Sequence, residues 1–467
     1  MTSLARAWRR LGSPAGLVGL VLVILGVLVN PWLLSRLLGA PIATLEVKVL
    51  AIGVEILLVV GGVLIALKGD TASGRKQLAF GLIAVVLAVL LVEGGLRIIN
   101  LAIDIPDPEA NPLRVVSATS PYQGQAWAEA HFNDYWERPV EYEQYLGWES
   151  REFHSESTNV DASGVRKTWN PEPSVGESPG TIYVLGGSTL WGIGARDEYT
   201  IPSHISKLLA GDGREFTVYN YGEPAYTFTQ EIVRLSLLLR DGHRPDYVIL
   251  YDGINDVYCA QGSGPGTTYR LSEIRETLRA VWGRPSIAST ISSTVSGLSK
   301  HSMIHRVIAQ LANRPQQEQE LPGAALGHTA EELQHLSAGI AGYYTDSMDL
   351  LEHLAQSYGF RYACFWQPNT CLEAQLTSEE ASYAYGNDTA YCELQRMTAD
   401  RLRAEPLPFF FDISGALGNR TGTCYVDSSG HLSEEGNRLV ATRMFNVLEQ
   451  LYLEEAVAPP ASGASDH

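Results

Sequence analysis

Apolar residues crowd the N-terminal part of this chain and then thin out. Residues 15–38, 47–67 and 77–103 form three runs of roughly twenty apolar positions, enough for an α-helix to cross a hydrocarbon core of about 30 Å. The pattern predicts three transmembrane helices in an anchor spanning 1–103. A signal peptide is the rival reading for the first run, since Arg6, Arg9 and Arg10 precede it and Leu38-Gly39-Ala40 offers small residues for cleavage, but the run is long for that purpose. Residues 104–178 show no sustained period. Pro, acidic residues and the aromatics Trp127, Trp136, Tyr142, Tyr145 and Trp148 are interleaved there, which reads as an extension with a short hairpin inside 147–169 and with its aromatics used for packing rather than as a sugar platform.

From Thr181 onward the pattern changes again, to short apolar runs alternating with helical periodicity. Strands are expected near 181–186, 216–221, 246–252, 360–366 and 408–412, and helices near 199–211, 227–241, 331–358 and 433–453. That alternation predicts an α/β domain over 179–453, a doubly wound parallel sheet with helices on both faces. A Gly/Ser/Thr-rich insertion at about 257–330 carries amphipathic pieces at 271–282 and 291–311 and reads as a helical lid. Residues 454–467 read as a disordered tail.

Charge adds orientation. Arg6, Arg9 and Arg10 precede the first run, Lys68, Arg75 and Lys76 fill the second connection, and Asp104, Asp107 and Glu109 follow the third run. The positive-inside rule then puts the N-terminus in the cytoplasm of a multi-pass cell-membrane protein and everything beyond about residue 104 in the periplasm or outside. Within the runs, Glu93 and Arg97 stand one turn apart and read as a couple directed to the interface. Glu55 lies deeper, where an ionisable residue raises a functional possibility beside the plainer packed carboxyl. The net charge of -18 and the lack of a basic stripe argue against a nucleic-acid partner. All five cysteines lie beyond residue 104, and Cys371 with Cys392, bracketing a polar loop, is the expected disulfide. His301 and His305 have a metal-ligand spacing, but no HExxH, CxxC, Walker or dinucleotide motif supports a metal or cofactor, and none is expected. Asn387 and Asn419 head glycosylation sequons.

The chemistry begins where the run Thr181-Ile182-Tyr183-Val184-Leu185 stops at Gly186-Gly187-Ser188-Thr189. A buried strand that ends in two glycines delivers a serine hydroxyl to the carboxyl edge of a sheet, and the glycines allow close backbone approach to a reacting group. Three later segments end similarly. Gly222 follows the strand at 216–220, Gly253-Ile254-Asn255-Asp256 follows the strand at 247–251, and Asp427-Ser428-Ser429-Gly430-His431-Leu432 runs into the last helix. In kind and order these four blocks resemble the SGNH (GDSL-type) hydrolase superfamily.

The resemblance implies a flavodoxin-like doubly wound sheet and a serine esterase chemistry without cofactor. Ser188 is the implied nucleophile, His431 its base, and the N–H groups of Ser188 and Gly222 with the Asn255 amide the implied oxyanion hole. Two departures stand out. The first block usually reads Gly-Asp-Ser-Leu and here is Gly-Gly-Ser-Thr. The family's Asp lies three residues before the His, a place held here by Ser428, with Asp427 one residue further back. Either the loop brings Asp427 to the imidazole, the favoured reading, or the site is a Ser-His dyad with the ring held by a carbonyl. The expected substrate is a glycan O-acetyl or lipid ester outside the cytoplasm. The alternatives are acyl transfer to a polysaccharide and an inactive anchored binding or scaffold protein.

Overall fold

The run Gly180–Gly186 forms β1, the central strand of the molecule. It pairs in parallel with β2 (Phe216–Asn220) on one side and β3 (Tyr247–Asp252) on the other, and β4 (Arg361–Trp366) and β5 (Phe410–Asp412) extend the sheet beyond β3. The order β2-β1-β3-β4-β5 is that of a flavodoxin-like sheet. All five strands lie within two residues of their expected bounds. The computed structural model describes residues 111–174, 178–269, 329–384, 389–418 and 420–453, with short helical pieces at 19–24, 58–61, 92–97 and 302–304 and a few single positions.

Both faces of the sheet are buried, which is why its strands read as unbroken apolar runs. Tyr183, Leu185, Val248, Leu250 and Trp366 pack one face against α4 (Phe228–Arg240), α6 (Ala330–Tyr358) and α7 (Thr389–Ala404). Ile182, Val184, Ile249, Ala363 and Phe365 pack the other against α3 (Ile201–Gly211) and α8 (Glu434–Leu448). The period of two along β1 thus assigns alternate side chains to two cores. Each fully buried Leu or Val contributes about 1.5–3 kcal/mol of apolar burial. The helices start where capping chemistry is available: Thr227 with Gln230 opens α4, Thr329 with Glu332 opens α6, and Ser433 accepts from Gly436 N to open α8. The last helix is α-helical only to Leu448, and a wider turn carries it to Leu453.

The segment from Asn111 belongs to the same compact unit as the sheet. It holds a 3-10 turn at Pro112–Ala118, helix α1 (Ala128–Glu137) and two short ladders, of which Phe153–His154 with Asn159–Val160 falls inside the expected hairpin region. Val116, Tyr122, Phe132 and Val160 form a separate core with Trp191 and Ile193, the residues just after the Gly-Gly-Ser turn. Trp127 and Trp148 pack as expected, while Trp136, Tyr142 and Tyr145 are exposed, so packing accounts for only part of the aromatic content. Cys371 and Cys392 are joined by a disulfide, with 4.9 Å between Cα atoms, and Cys259, Cys364 and Cys424 are free and buried.

A second unit comprises Met1–Ala110 and Ala280–Glu320. In it the Glu93 carboxylate accepts from Arg97 Nε at 2.9 Å, from Ser302 Oγ at 2.8 Å and from the backbone of Met303 and Ile304 at 3.1 and 3.2 Å. The expected Glu93–Arg97 couple is therefore also a cap on the turn that starts at Ser302. Among the described residues no helix is long and apolar enough to cross a membrane. The three expected spans lie largely outside the described residues, as do His301 and His305, Asn387 and Asn419, most of the 257–330 insertion and the tail.

Candidate active site

Ser188 is the first residue of α2 (Ser188–Trp191), a single turn that begins as β1 ends. A residue in that place has a backbone N–H with no partner inside the helix, so hydroxyl and amide are presented together. Gly187, extended at φ -81°, precedes it, and a Cβ there would stand 2.3 Å from Asn255 Nδ2. Only glycine lets the Asn255 amide lie against the Gly187–Ser188 peptide.

His431 lies in the loop that leads into α8. Its Nε2 is 2.8 Å from Ser188 Oγ, and its Nδ1 is 2.5 Å from Asp427 Oδ2. The second oxygen, Asp427 Oδ1, accepts from Ser429 N at 2.9 Å and from His431 N at 3.3 Å. Of the two arrangements left open by the sequence, the loop adopts the one that brings Asp427 to the ring. It can do so because residues 424–433 close like a hairpin: Val426 N donates to His431 O at 2.9 Å and Ser433 N to Cys424 O at 2.8 Å. The extra residue between Asp427 and His431 is absorbed by Gly430, in the left-handed region at φ 79°. His431 and Asp427 side chains are 9% and 17% exposed, so the pair works largely out of water. Burial raises the Asp427 pKa, but the charge of His431 and the hydrogen bonds from His431 and Ser429 outweigh it, and the carboxyl is held below its ordinary value.

The three expected oxyanion donors differ. Ser188 N–H is available by its position in the first turn of α2. Asn255, the second residue of α5 (Ile254–Ser263), donates one amide hydrogen to Tyr226 O at 2.8 Å and retains the other. Gly222 follows β2 beside the site, but its N–H donates to Asn220 Oδ1 at 3.0 Å. An oxyanion would therefore have to share that hydrogen with Asn220. The same Asn220 side chain reaches Leu190 O and Trp191 O at 3.4 and 3.3 Å, linking the Gly222 turn to the end of α2.

Sequence reasoning missed the groups that hold α2 in place. Arg166, with no exposed surface, donates from Nη1 to Trp191 O and Gly192 O and from Nη2 to Ala195 O, each at 2.7 Å, and pairs with Asp197 at 3.1 Å. His131 is 2.8 Å from Ile193 O, and Tyr122 donates to Gly194 O at 2.6 Å. Burial and the positive charge of Arg166 push the His131 imidazole down to about 3, so it is neutral in this role. No local motif marks these three residues; their partners are backbone carbonyls far along the chain. Among the described residues no group of three His, Cys, Asp or Glu side chains is arranged to hold a metal ion.

The arrangement supplies what acyl transfer to serine needs: a hydroxyl on an imidazole, a carboxylate on the ring's other nitrogen, and amide donors beside the hydroxyl. No protein-family model and no curated relative matches the chain. Solved structures that match include a psychrotrophic esterase from Pseudoalteromonas sp., at 11% identity and a TM-score of 0.31 over 59% of this chain and 98% of that one. An acetyl xylan esterase matches at 14% identity and a TM-score of 0.28, over 57% and 99% of the two chains. A member of the lipolytic G-D-S-L family from Veillonella parvula matches at 13% and 0.30, over 58% and 99%. By its own strand order, the order of its four blocks and the Ser188–His431–Asp427 chain at the sheet's carboxyl edge, this protein is similar to the SGNH (GDSL-type) serine hydrolases.

Proposed function

We propose that the protein is a serine ester hydrolase, held at a membrane and acting outside the cytoplasm on an ester of the cell envelope, a glycan O-acetyl group or a lipid ester. The observation that carries the reaction class is the continuous chain from Ser188 Oγ through His431 to Asp427. His431 Nε2 takes the serine proton as Oγ adds to the ester carbonyl. Asp427 steadies the imidazolium and fixes the ring with Nε2 facing the serine. The negative carbonyl oxygen is received by Ser188 N–H and the second amide hydrogen of Asn255, and one such donor typically contributes a factor of about 10²–10³ in rate. Collapse releases the alcohol with the proton from His431, and water, activated by the same imidazole, frees the acid.

Location outside the cytoplasm draws support from the Cys371–Cys392 disulfide, a bond that persists in oxidising compartments, and from the charge pattern around the three apolar runs. A membrane-held enzyme facing that side meets glycan and lipid esters at its own surface. The test is release of acid from O-acetylated glycan and from phospholipid vesicles by full-length protein in detergent. Turnover of either ester by wild type and not by Ser188→Ala supports the reading, and equal background release by both contradicts it.

A further inference from the structure

Asn255 can receive an oxyanion only if its amide is held in one orientation, and the structure shows what holds it. Its Nδ2 donates to Tyr226 O, a carbonyl that can only accept, so nitrogen rather than oxygen must face Tyr226. Gly187, the neighbour of Ser188, lies against the same nitrogen. The direction of Tyr226 O depends in turn on a turn that alanine adopts reluctantly: Ala225 has φ 66°, in the left-handed region. Trp148 brackets that residue. Its indole Nε1 donates to Pro224 O at 2.9 Å, and its backbone oxygen accepts from the Tyr226 hydroxyl at 2.6 Å. The two rings also meet edge to face at 5.7 Å, and Gln230 Nε2 donates to Leu146 O at 2.6 Å just beyond the turn. Trp148 lies far from Asn255 in sequence, in the segment before the sheet.

We propose that Trp148 is a positioning residue for the oxyanion hole: by clamping Pro224 and Tyr226 on either side of Ala225 it sets the carbonyl that orients the Asn255 amide. The part of the N-terminal extension that holds Trp148 then serves the catalytic apparatus rather than acting as a spacer. This rests on the serine hydrolase reading above. The contacts of Trp148 reach Asn255 through Pro224 and Tyr226, so the proposed influence passes through Asn255. Binding of the ester in the ground state is unaffected, and only the charged transition state loses a donor.

The test is a double-mutant cycle on full-length protein in detergent, with p-nitrophenyl acetate as substrate and kcat and KM determined separately. Trp148→Phe keeps an aromatic ring and removes the indole donor. The expected result is a kcat lower by on the order of tenfold with KM within about twofold, and no further loss when Trp148→Phe is added to Asn255→Ala. A Trp148→Phe enzyme equal to wild type, or an undiminished loss in the Asn255→Ala background, would overturn the positioning role. Should Trp148→Phe fail to fold, Tyr226→Phe removes only the hydroxyl that reaches Trp148 O and is expected to give the same pattern, with the same contrary results. A wild type that neither turns over the ester nor reacts with a fluorophosphonate overturns the serine hydrolase reading and the relay with it, whereas an active wild type with additive losses overturns the relay alone.

Discussion

The guanidinium of Arg166 lies 4.1 Å over the indole of Trp191 and donates to the carbonyl of that same residue at 2.7 Å. A short helix leaves its last carbonyls without partners inside it, and here a buried arginine donates to that of Trp191. Asp197 balances the charge at 3.1 Å. Removing one member of such a pair leaves the other uncompensated in the interior, at a typical cost of about 3–5 kcal/mol. Arg166→Ala is therefore expected to lower unfolding free energy in urea by that order, and a loss below about 1 kcal/mol would show that the contacts are dispensable.

Asp427 and Ser428 compete in the sequence for one role, and the geometry gives it to Asp427. An amide in that place would favour the wrong tautomer of the ring, and in a related arrangement that change costs about 10⁴ in kcat. Asp427→Asn should lower kcat by roughly three to four orders of magnitude, while Ser428→Ala changes it by less than about threefold. Ester hydrolysis rates for the two variants decide the matter, and the reverse ranking would restore the dyad.

Beneath the site several carboxyls are buried with raised pKa values. Burial raises Glu231, and the neighbouring Asp252 and Asp256 charges add to it. Burial likewise brings Asp256 up to about 6 and, against the influence of Arg138, Ser150 and Arg234, Glu223 up to about 7. The folded state thus keeps protons that the unfolded chain has released, so their contribution to stability is complete below the ordinary carboxyl range and is lost as pH rises from about 4.5 through 7. Glu223→Gln should remove part of that decline. Thermal midpoints of wild type and variant between pH 5 and 7.5 should converge at the acid end and separate at the alkaline end, with the variant higher, and parallel curves would contradict the assignment.

The Cys371–Cys392 bond closes a loop of 21 residues between the end of β4 and α7. A loop of that size is worth about 3 kcal/mol through restriction of the unfolded chain. The double Cys→Ser variant should lose about that much in denaturant, and reductant should destabilise wild type but not the variant.

What the sequence disclosed and what it withheld follow from the range of the interactions. The strand runs at β1 and β3 were legible because burial on both faces demands unbroken apolar residues, and Gly187, Ser188 and Asn255 because they end those strands. The disulfide pair was legible from two cysteines that bracket a polar loop. Asp427 was favoured over a dyad on chemical grounds, but how the loop reaches the ring was not legible, since it depends on Gly430 taking a left-handed conformation inside a loop closed by backbone bonds from Val426 and Ser433. Nor was the engagement of Gly222 N–H by Asn220, two residues away but across a turn. Arg166, His131 and Trp148 bond to backbone carbonyls more than 20 residues distant, and a carbonyl carries no sequence signature.

The central claim is that Ser188 is a nucleophile activated by His431. Reaction of the full-length protein in detergent with a fluorophosphonate, followed by peptide mapping, tests it most directly. Phosphonylation of wild type at Ser188, abolished in Ser188→Ala and much slowed in His431→Ala, is the expected result. Folded wild type that stays unlabelled, or that is labelled at another residue, would contradict it.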